Sequence, residues 1–124
     1  MPVEGYTQKT IYIDHNFLKD IKVRIVTSNE GPANISELVR YVWGEYLERD
    51  FELVGYRNLV GDHYQSKTSE MESKISPLIP EDMITKIDLR LLENQIKYKN
   101  DRDLSKLTHV TLELIQRLYL DVEE

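Results

Sequence analysis

The polar and apolar residues of Gln8–Ile13 alternate, which is the period of a half-buried strand. The segment ends at Asp14, a residue type that favours a helix N-cap. From there the apolar spacing becomes that of one helical face. Its apolar positions are Phe17, Leu18, Ile21 and Ile25. We therefore predict a strand that runs into a first helix, which ends near Asn29–Pro32 because glycine and proline stop it.

A second helix is predicted from about Ile35 to Arg49. Asn34–Glu37 has the spacing of a capping box, with asparagine in place of serine or threonine. The apolar positions that follow are Leu38, Val39, Val42, Trp43, Tyr46 and Leu47. Residues 1–50 are thus expected to form one strand-helix-helix unit, and residues 51–72, with Gly55 and Gly61, an irregular linker.

The same order of elements is predicted again after the linker. Lys74–Ile79 corresponds to the first strand, and the apolar positions of the next helix repeat those of the first helix at a constant offset. These positions are Met83, Ile84, Ile87 and Leu91. A polar break at 100–102 precedes Asp103–Leu107, which matches Asn34–Leu38 at a slightly larger offset. The fold class expected is mostly α with a short β-ribbon, built from two β-α-α units at 1–50 and 73–124.

A lone strand cannot satisfy its backbone groups, so each predicted strand needs a partner. The two strands of one chain can pair with each other, which gives an intrachain pseudo-dimer. Alternatively, each strand pairs with its equivalent in another chain, which gives a homodimer or a higher homo-oligomer. The sequence leaves both pairings open.

A two-stranded ribbon fits the major groove of double-stranded DNA, where outward side chains meet the base edges. Since Ile11 and Ile13 are expected in the core, Gln8, Thr10 and Tyr12 fall on the groove face. Glutamine can bind adenine, threonine can contact a thymine methyl, and tyrosine can reach a base or a phosphate. Lys9 has the inner parity, but its long stem is expected to reach a phosphate.

Further contacts are expected at the start of the second helix. Free backbone N–H groups and the helix dipole favour a phosphate there, so we expect contacts from Asn34, Ile35 and Ser36. The second copy differs, because Pro77 interrupts its strand and Leu78 cannot hydrogen-bond a base. The secondary DNA contacts expected from it are Lys74, Ser76 and Ser105. We therefore expect the first unit to read DNA and the second to help assembly.

These residues resemble a known family. Thr10–Ile13, the helix after Asp14, and Asn34–Arg40 are similar to the ribbon-helix-helix transcription regulators of the MetJ/Arc type, over about residues 8–49. The resemblance implies that the ribbon reads bases and that the amino end of the second helix grips the DNA backbone. Tandem copies in a small, acidic chain also resemble regulators of lipothrixviruses, filamentous viruses of archaea. This implies a viral regulator that acts in the host cytoplasm.

The charge of the chain opposes that interpretation. Its 124 residues carry a net charge of -6, and the three segments 1–49, 50–72 and 73–124 carry -1, -3 and -2. Because lysine and arginine contacts to phosphate usually supply much of the affinity for DNA, an acidic chain is not typical of a DNA-binding protein. The alternative is a small helical protein–protein interaction module without DNA binding.

Other classes of function find little support. There is no apolar run of the roughly 18 residues that a membrane span needs, and no secretory signal, so we expect a cytoplasmic protein with no membrane partner. Cysteine is absent, and His15, His63 and His109 lie in separate segments, where we expect them at the surface. No metal site, cofactor or catalytic residue is predicted, and an enzyme is not expected.

Overall fold

The computed structural model describes residues 5–49, 52–56, 73–99 and 104–121. This part of the chain is mostly helical and has two short antiparallel strand pairs, which confirms the expected class. The elements in chain order are β1 (Tyr6–Gln8), β2 (Ile11–Ile13), α1 (His15–Thr27), α2 (Ile35–Arg49), β3 (Ser73–Ile75), β4 (Leu78–Pro80), α3 (Glu81–Lys97), α4 (Leu107–Ile115) and a π-helical turn (Gln116–Leu120).

The four strands form two antiparallel pairs that share one register. β1 pairs with β4 and β2 with β3, and in both pairs the numbers of opposite residues add up to 86, so we treat the two pairs as one ladder, the ribbon. Between the two pairs, the Lys9 N–H donates to the Pro77 carbonyl at 3.0 Å. Each predicted strand is thus split in two around the ladder's centre. Of the two pairings left open by the sequence, the structure has the one within a single chain.

The first two helices begin where the sequence predicts. The Asp14 carboxylate accepts two backbone N–H groups of the first turn of α1, at 2.8 and 3.2 Å. At α2, Asn34 Oδ1 accepts the Glu37 N–H at 2.9 Å, and the Glu37 carboxylate accepts the Ala33 N–H at 2.6 Å. Asparagine is thus the cap, as predicted, but the Glu37 carboxylate binds the N–H of Ala33, one residue before the cap, and not that of Asn34 as in a standard capping box.

The second helix pair starts differently. α3 begins at Glu81, which corresponds to His15 at the start of α1, so the predicted offset is kept. α4 begins at Leu107, later than the correspondence of Leu104 with Ile35 predicts, and Leu104 lies in a short 3₁₀ turn. The residue before α4 is Lys106, which forms no side-chain cap because lysine carries no acceptor. The predicted break at 100–102 and the predicted cap Asp103 lie outside the described residues.

The core lies between the ribbon and the two second helices. α2 packs against α4, and Trp43 Nε1 donates to Thr111 Oγ1 at 2.9 Å in the buried interface. Every residue from His109 to Ile115 is buried. The surface position expected for His109 is therefore wrong, because α4 is covered on all sides. The ribbon closes the core with its inner isoleucines, Ile11, Ile13, Ile75 and Ile79.

Residues 52–56, which begin the predicted linker, are irregular but packed into the core. The N–H groups of Val54 and Gly55 both donate to the buried Glu113 carboxylate at 2.8 Å, which also accepts Arg117 Nη1 at 3.1 Å. The Tyr56 ring meets Phe17 edge-on and stacks on His109, with ring centres 5.8 and 6.1 Å away. The segment thus connects α1 with α4. The rest of the predicted linker, residues 57–72, lies outside the described residues.

Candidate nucleic-acid interface

One face of the ribbon is open to solvent, and we call it the outer face. It follows the alternation of the strands, because Tyr12 is 53% exposed while Ile11 and Ile13 on either side are fully buried. The residues of the outer face are Gln8, Thr10, Tyr12, Lys74, Ser76 and Leu78. All are exposed except Leu78, which is half-buried. The predicted division into inner isoleucines and outer polar residues is therefore confirmed.

The register sets which outer residues face each other across the ribbon. Gln8 lies opposite Leu78, and Tyr12 lies opposite Lys74. The same register places Thr10 opposite Ser76 at the centre of the ladder. The structure therefore brings the predicted ribbon contacts Gln8, Thr10, Tyr12, Lys74 and Ser76 onto one surface.

The ribbon is basic, although the chain is acidic. Residues 5–13 and 73–80 contain two lysines and no aspartate or glutamate, so they carry +2 in a chain of -6. Lys74 is exposed on the outer face, and Lys9 is half-buried near the centre. Two described carboxylates that border the ribbon have local partners, since buried Asp14 caps α1 and Glu81 accepts the Thr7 hydroxyl at 3.2 Å.

The amino end of α2 is bonded directly to the ribbon. The Leu78 N–H donates to Ser36 Oγ at 3.0 Å, so Ser36 holds the helix end beside the outer face. The first N–H groups of a helix have no acceptor within it. Asn34 accepts the N–H of Glu37, which leaves those of Ile35 and Ser36 for an external acceptor. A hydroxyl that accepts one hydrogen bond can still donate another, so Ser36 keeps this capacity.

Two cations beside this helix end were not predicted from the sequence. Lys22 of α1 and Arg40 of α2 line an open groove together with Asn34, Ser36 and Leu78. Arg40 follows Ser36 by one helical turn, so this spacing could have indicated from the sequence that Arg40 lies beside Ser36. Its guanidinium also lies over the Tyr6 ring, 5.8 Å from the ring centre. The groove therefore places positive charge next to the free N–H groups of α2.

The second copy offers less at the corresponding place. Ser105 is half-buried in the turn before α4, between Leu104 and the exposed Lys106. Because α4 begins only at Leu107, Ser105 is not part of its first turn. The expected secondary contact at Ser105 therefore lacks the helix-end geometry that Ser36 has.

Within the described ranges, no group of three or more histidine, aspartate or glutamate side chains is arranged to hold a metal ion. None of the helices in those ranges is long and apolar enough to cross a membrane.

Comparisons with known proteins add little. No protein-family model matches the chain, and no solved structure matches it. An innexin of Caenorhabditis elegans, Innexin eat-5, is 33% identical over 63 residues, which are 48% of this chain and 15% of the innexin. Because the chain covers so small a share of that protein, the match identifies no family.

Proposed function

We propose that this chain is a sequence-specific DNA-binding transcription regulator that inserts its ribbon into the major groove. The observation that carries the proposal is the outer face, where polar side chains of both strands project from a ribbon closed within one chain. A two-stranded antiparallel ribbon has the width that the major groove admits, and its outer side chains meet the base edges there.

Both β-α-α units take part in this proposal. A two-fold rotation about the Thr10–Ser76 pair exchanges the two strands and brings Gln8 onto Lys74. The difference in residue number between these two residues also separates the first residues of α1 and α3. The chain is then a tandem ribbon-helix-helix protein in which one molecule supplies both strands. A second chain is not needed to complete the ribbon, and a single protein molecule is the DNA-binding unit.

Phosphate contacts support the same orientation on DNA. The N–H groups of Ile35 and Ser36 lie at the amino end of α2, and Lys22 and Arg40 stand beside them. A helix amino end and nearby cations both attract a phosphate. Lys9 on the ribbon adds a further positive group, which we expect beside the DNA backbone when the outer face is in the groove.

Titration of DNA at several salt concentrations tests this proposal. The wild-type protein is mixed with duplex DNA from upstream of its own gene, and the affinity is expected to fall linearly with the logarithm of salt. Lys74→Ala is expected to reduce the magnitude of the slope by about one, because one phosphate or base contact is lost. Lys86→Ala, which removes an exposed lysine of α3, is the matched control and leaves the slope near that of the wild type. Binding without salt dependence, or no binding, would contradict the proposal.

A second candidate is a protein–protein interaction module without DNA binding. The observation that favours it is an exposed apolar stripe on α3, formed by Leu89, Leu92 and Ile96, which are 57%, 53% and 67% exposed. Apolar side chains grouped on one helix face often mark an interaction surface. Leu92→Glu separates the candidates, because it leaves DNA affinity unchanged under the first and abolishes partner capture under the second.

A further inference from the structure

The two ends of the outer face carry different chemistry. One end pairs Gln8 with Leu78, an amide beside an aliphatic group. The other end pairs Tyr12 with Lys74, a phenol beside an ammonium. The centre, where Thr10 lies opposite Ser76, has a hydroxyl on each strand. The outer face is therefore nearly symmetric at its centre and asymmetric at its ends.

This asymmetry is possible because both strands belong to one chain. A ribbon made from two identical chains must present the same residues at both ends, and its DNA site repeats by the same symmetry. Here the interchange of strands relates Gln8 to Lys74 and Tyr12 to Leu78, which are different residues. No symmetry of the protein then forces the two halves of the DNA site to be alike.

We propose that the DNA site of this chain is not palindromic, with an A·T-rich half under Gln8 and Leu78 and a half that contains guanine under Lys74 and Tyr12. The inference rests on the proposed function. Glutamine binds the N6/N7 edge of adenine in a bidentate fashion, and an aliphatic side chain contacts the thymine methyl. Lysine donates to O6 and N7 of guanine. These are two neighbouring acceptors in the major groove, an arrangement that no other base offers.

The two ends are far enough apart to read separate base pairs. Gln8 and Tyr12 are four positions apart on an extended strand, a distance of about 13 Å, or roughly four base-pair steps along DNA. The Gln8 end is also tied to the capped amino end of α2, because Ser36 accepts the Leu78 N–H. The other end lacks an equivalent cap at α4, since Lys106 forms no side-chain cap. The A·T-rich half of the DNA site is therefore expected on the side where the amino end of α2 contacts phosphate.

Selection of DNA from a pool of duplexes with a random central segment tests the inference. The wild-type protein, used at limiting concentration, is expected to select a non-palindromic consensus with one A·T-rich half and one half containing guanine. Replacing a selected A·T pair under Gln8 by G·C is expected to weaken binding about 5- to 150-fold. Selection of a palindromic consensus, or of two halves with the same base preference, overturns the inference while the proposed function stands. No salt-dependent binding to any sequence overturns both.

A variant that makes the strands alike sharpens the test. K74Q with S76T and L78Y gives the second strand the outer residues of the first, so this triple variant is expected to select a palindromic consensus with A·T-rich halves. K86Q, the same lysine change on the exposed face of α3, is the control and keeps the wild-type consensus. If the triple variant binds DNA and selects the wild-type consensus, the assignment of these residues to the base contacts is overturned.

Discussion

The second helices of the two β-α-α units, α2 and α4, hold the same place in chain order but have different surroundings. α2 has five buried residues in fifteen, and the Asn34 side chain caps its start beside the ribbon. α4 has seven consecutive buried residues and no side-chain cap. The difference shows that, of two helices in the same place in chain order, one can keep a capped, solvent-facing start while the other supplies the centre of the core.

α4 also differs from α2 in the polar side chains that it buries. α4 carries Thr111, Glu113 and His109, and each is less than a tenth exposed. A buried carboxylate is costly unless its oxygens are hydrogen-bonded, and Glu113 meets this need with the N–H groups of Val54 and Gly55. These bonds fix the segment 52–56 over α4, which completes the cover of the helix.

The largest expected effect concerns the contact between α2 and α4. Trp43→Ala removes a fully packed indole and its hydrogen bond to Thr111, and we expect it to lower the free energy of unfolding by about 3–5 kcal/mol. Tyr41→Ala, on the exposed side of the same helix, is expected to cost less than about 1 kcal/mol. Chemical denaturation measures both, and equal costs would contradict the α2–α4 core.

A smaller effect is expected at the buried carboxylate. Glu113→Gln keeps the shape of the side chain but leaves one backbone N–H of Val54 or Gly55 without an acceptor. We therefore expect the free energy of unfolding to fall by about 1–3 kcal/mol. Glu93→Gln makes the same change in a surface ion pair of α3 and should alter stability by less than about 0.5 kcal/mol. Comparable losses for the two variants would show that Glu113 has no special role in holding segment 52–56.

The smallest effect sharpens the comparison at the helix starts. Asn34→Ala removes the side-chain cap of α2 and is expected to cost about 1 kcal/mol of unfolding free energy. Lys106→Ala, at the equivalent position before α4, removes no cap and should cost less than about 0.5 kcal/mol. Thermal unfolding followed by circular dichroism compares the two. A larger loss for Lys106→Ala than for Asn34→Ala would contradict the different capping of the two helices.

Much of this arrangement could be predicted from local sequence signals. The alternation of Gln8–Ile13, the cap Asp14 and the box Asn34–Glu37 act within a few residues, so pattern alone indicates them. The pairing of the two strands could not be predicted, because it depends on closing a long loop and on the core beneath the ribbon. The order of the elements likewise did not indicate whether α2 or α4 would be the fully buried helix.

His109 was misplaced at the surface for the same reason, since its burial depends on residues 52–56 folding back over α4, where Tyr56 stacks on its ring. The burial of Glu113 was not predicted either, because glutamate is almost never fully buried without partners such as the N–H groups of this segment. At the candidate site, the outward positions of Thr10 and Tyr12 followed from the strand period. The cations Lys22 and Arg40 were missed, because their place beside Ser36 depends on how α1 and α2 pack.

The most direct test of the central claim is the DNA affinity of the double variant T10A/Y12A. Both residues are exposed on the outer face, so their loss leaves the core intact but removes two proposed contacts. The control T85A/Y41A makes the same two changes at exposed positions on α3 and α2. In a gel-shift titration at fixed salt, T10A/Y12A is expected to bind at least about tenfold more weakly than the wild type and the control. An affinity within about twofold of the wild type would contradict the assignment of the ribbon as the DNA-reading surface.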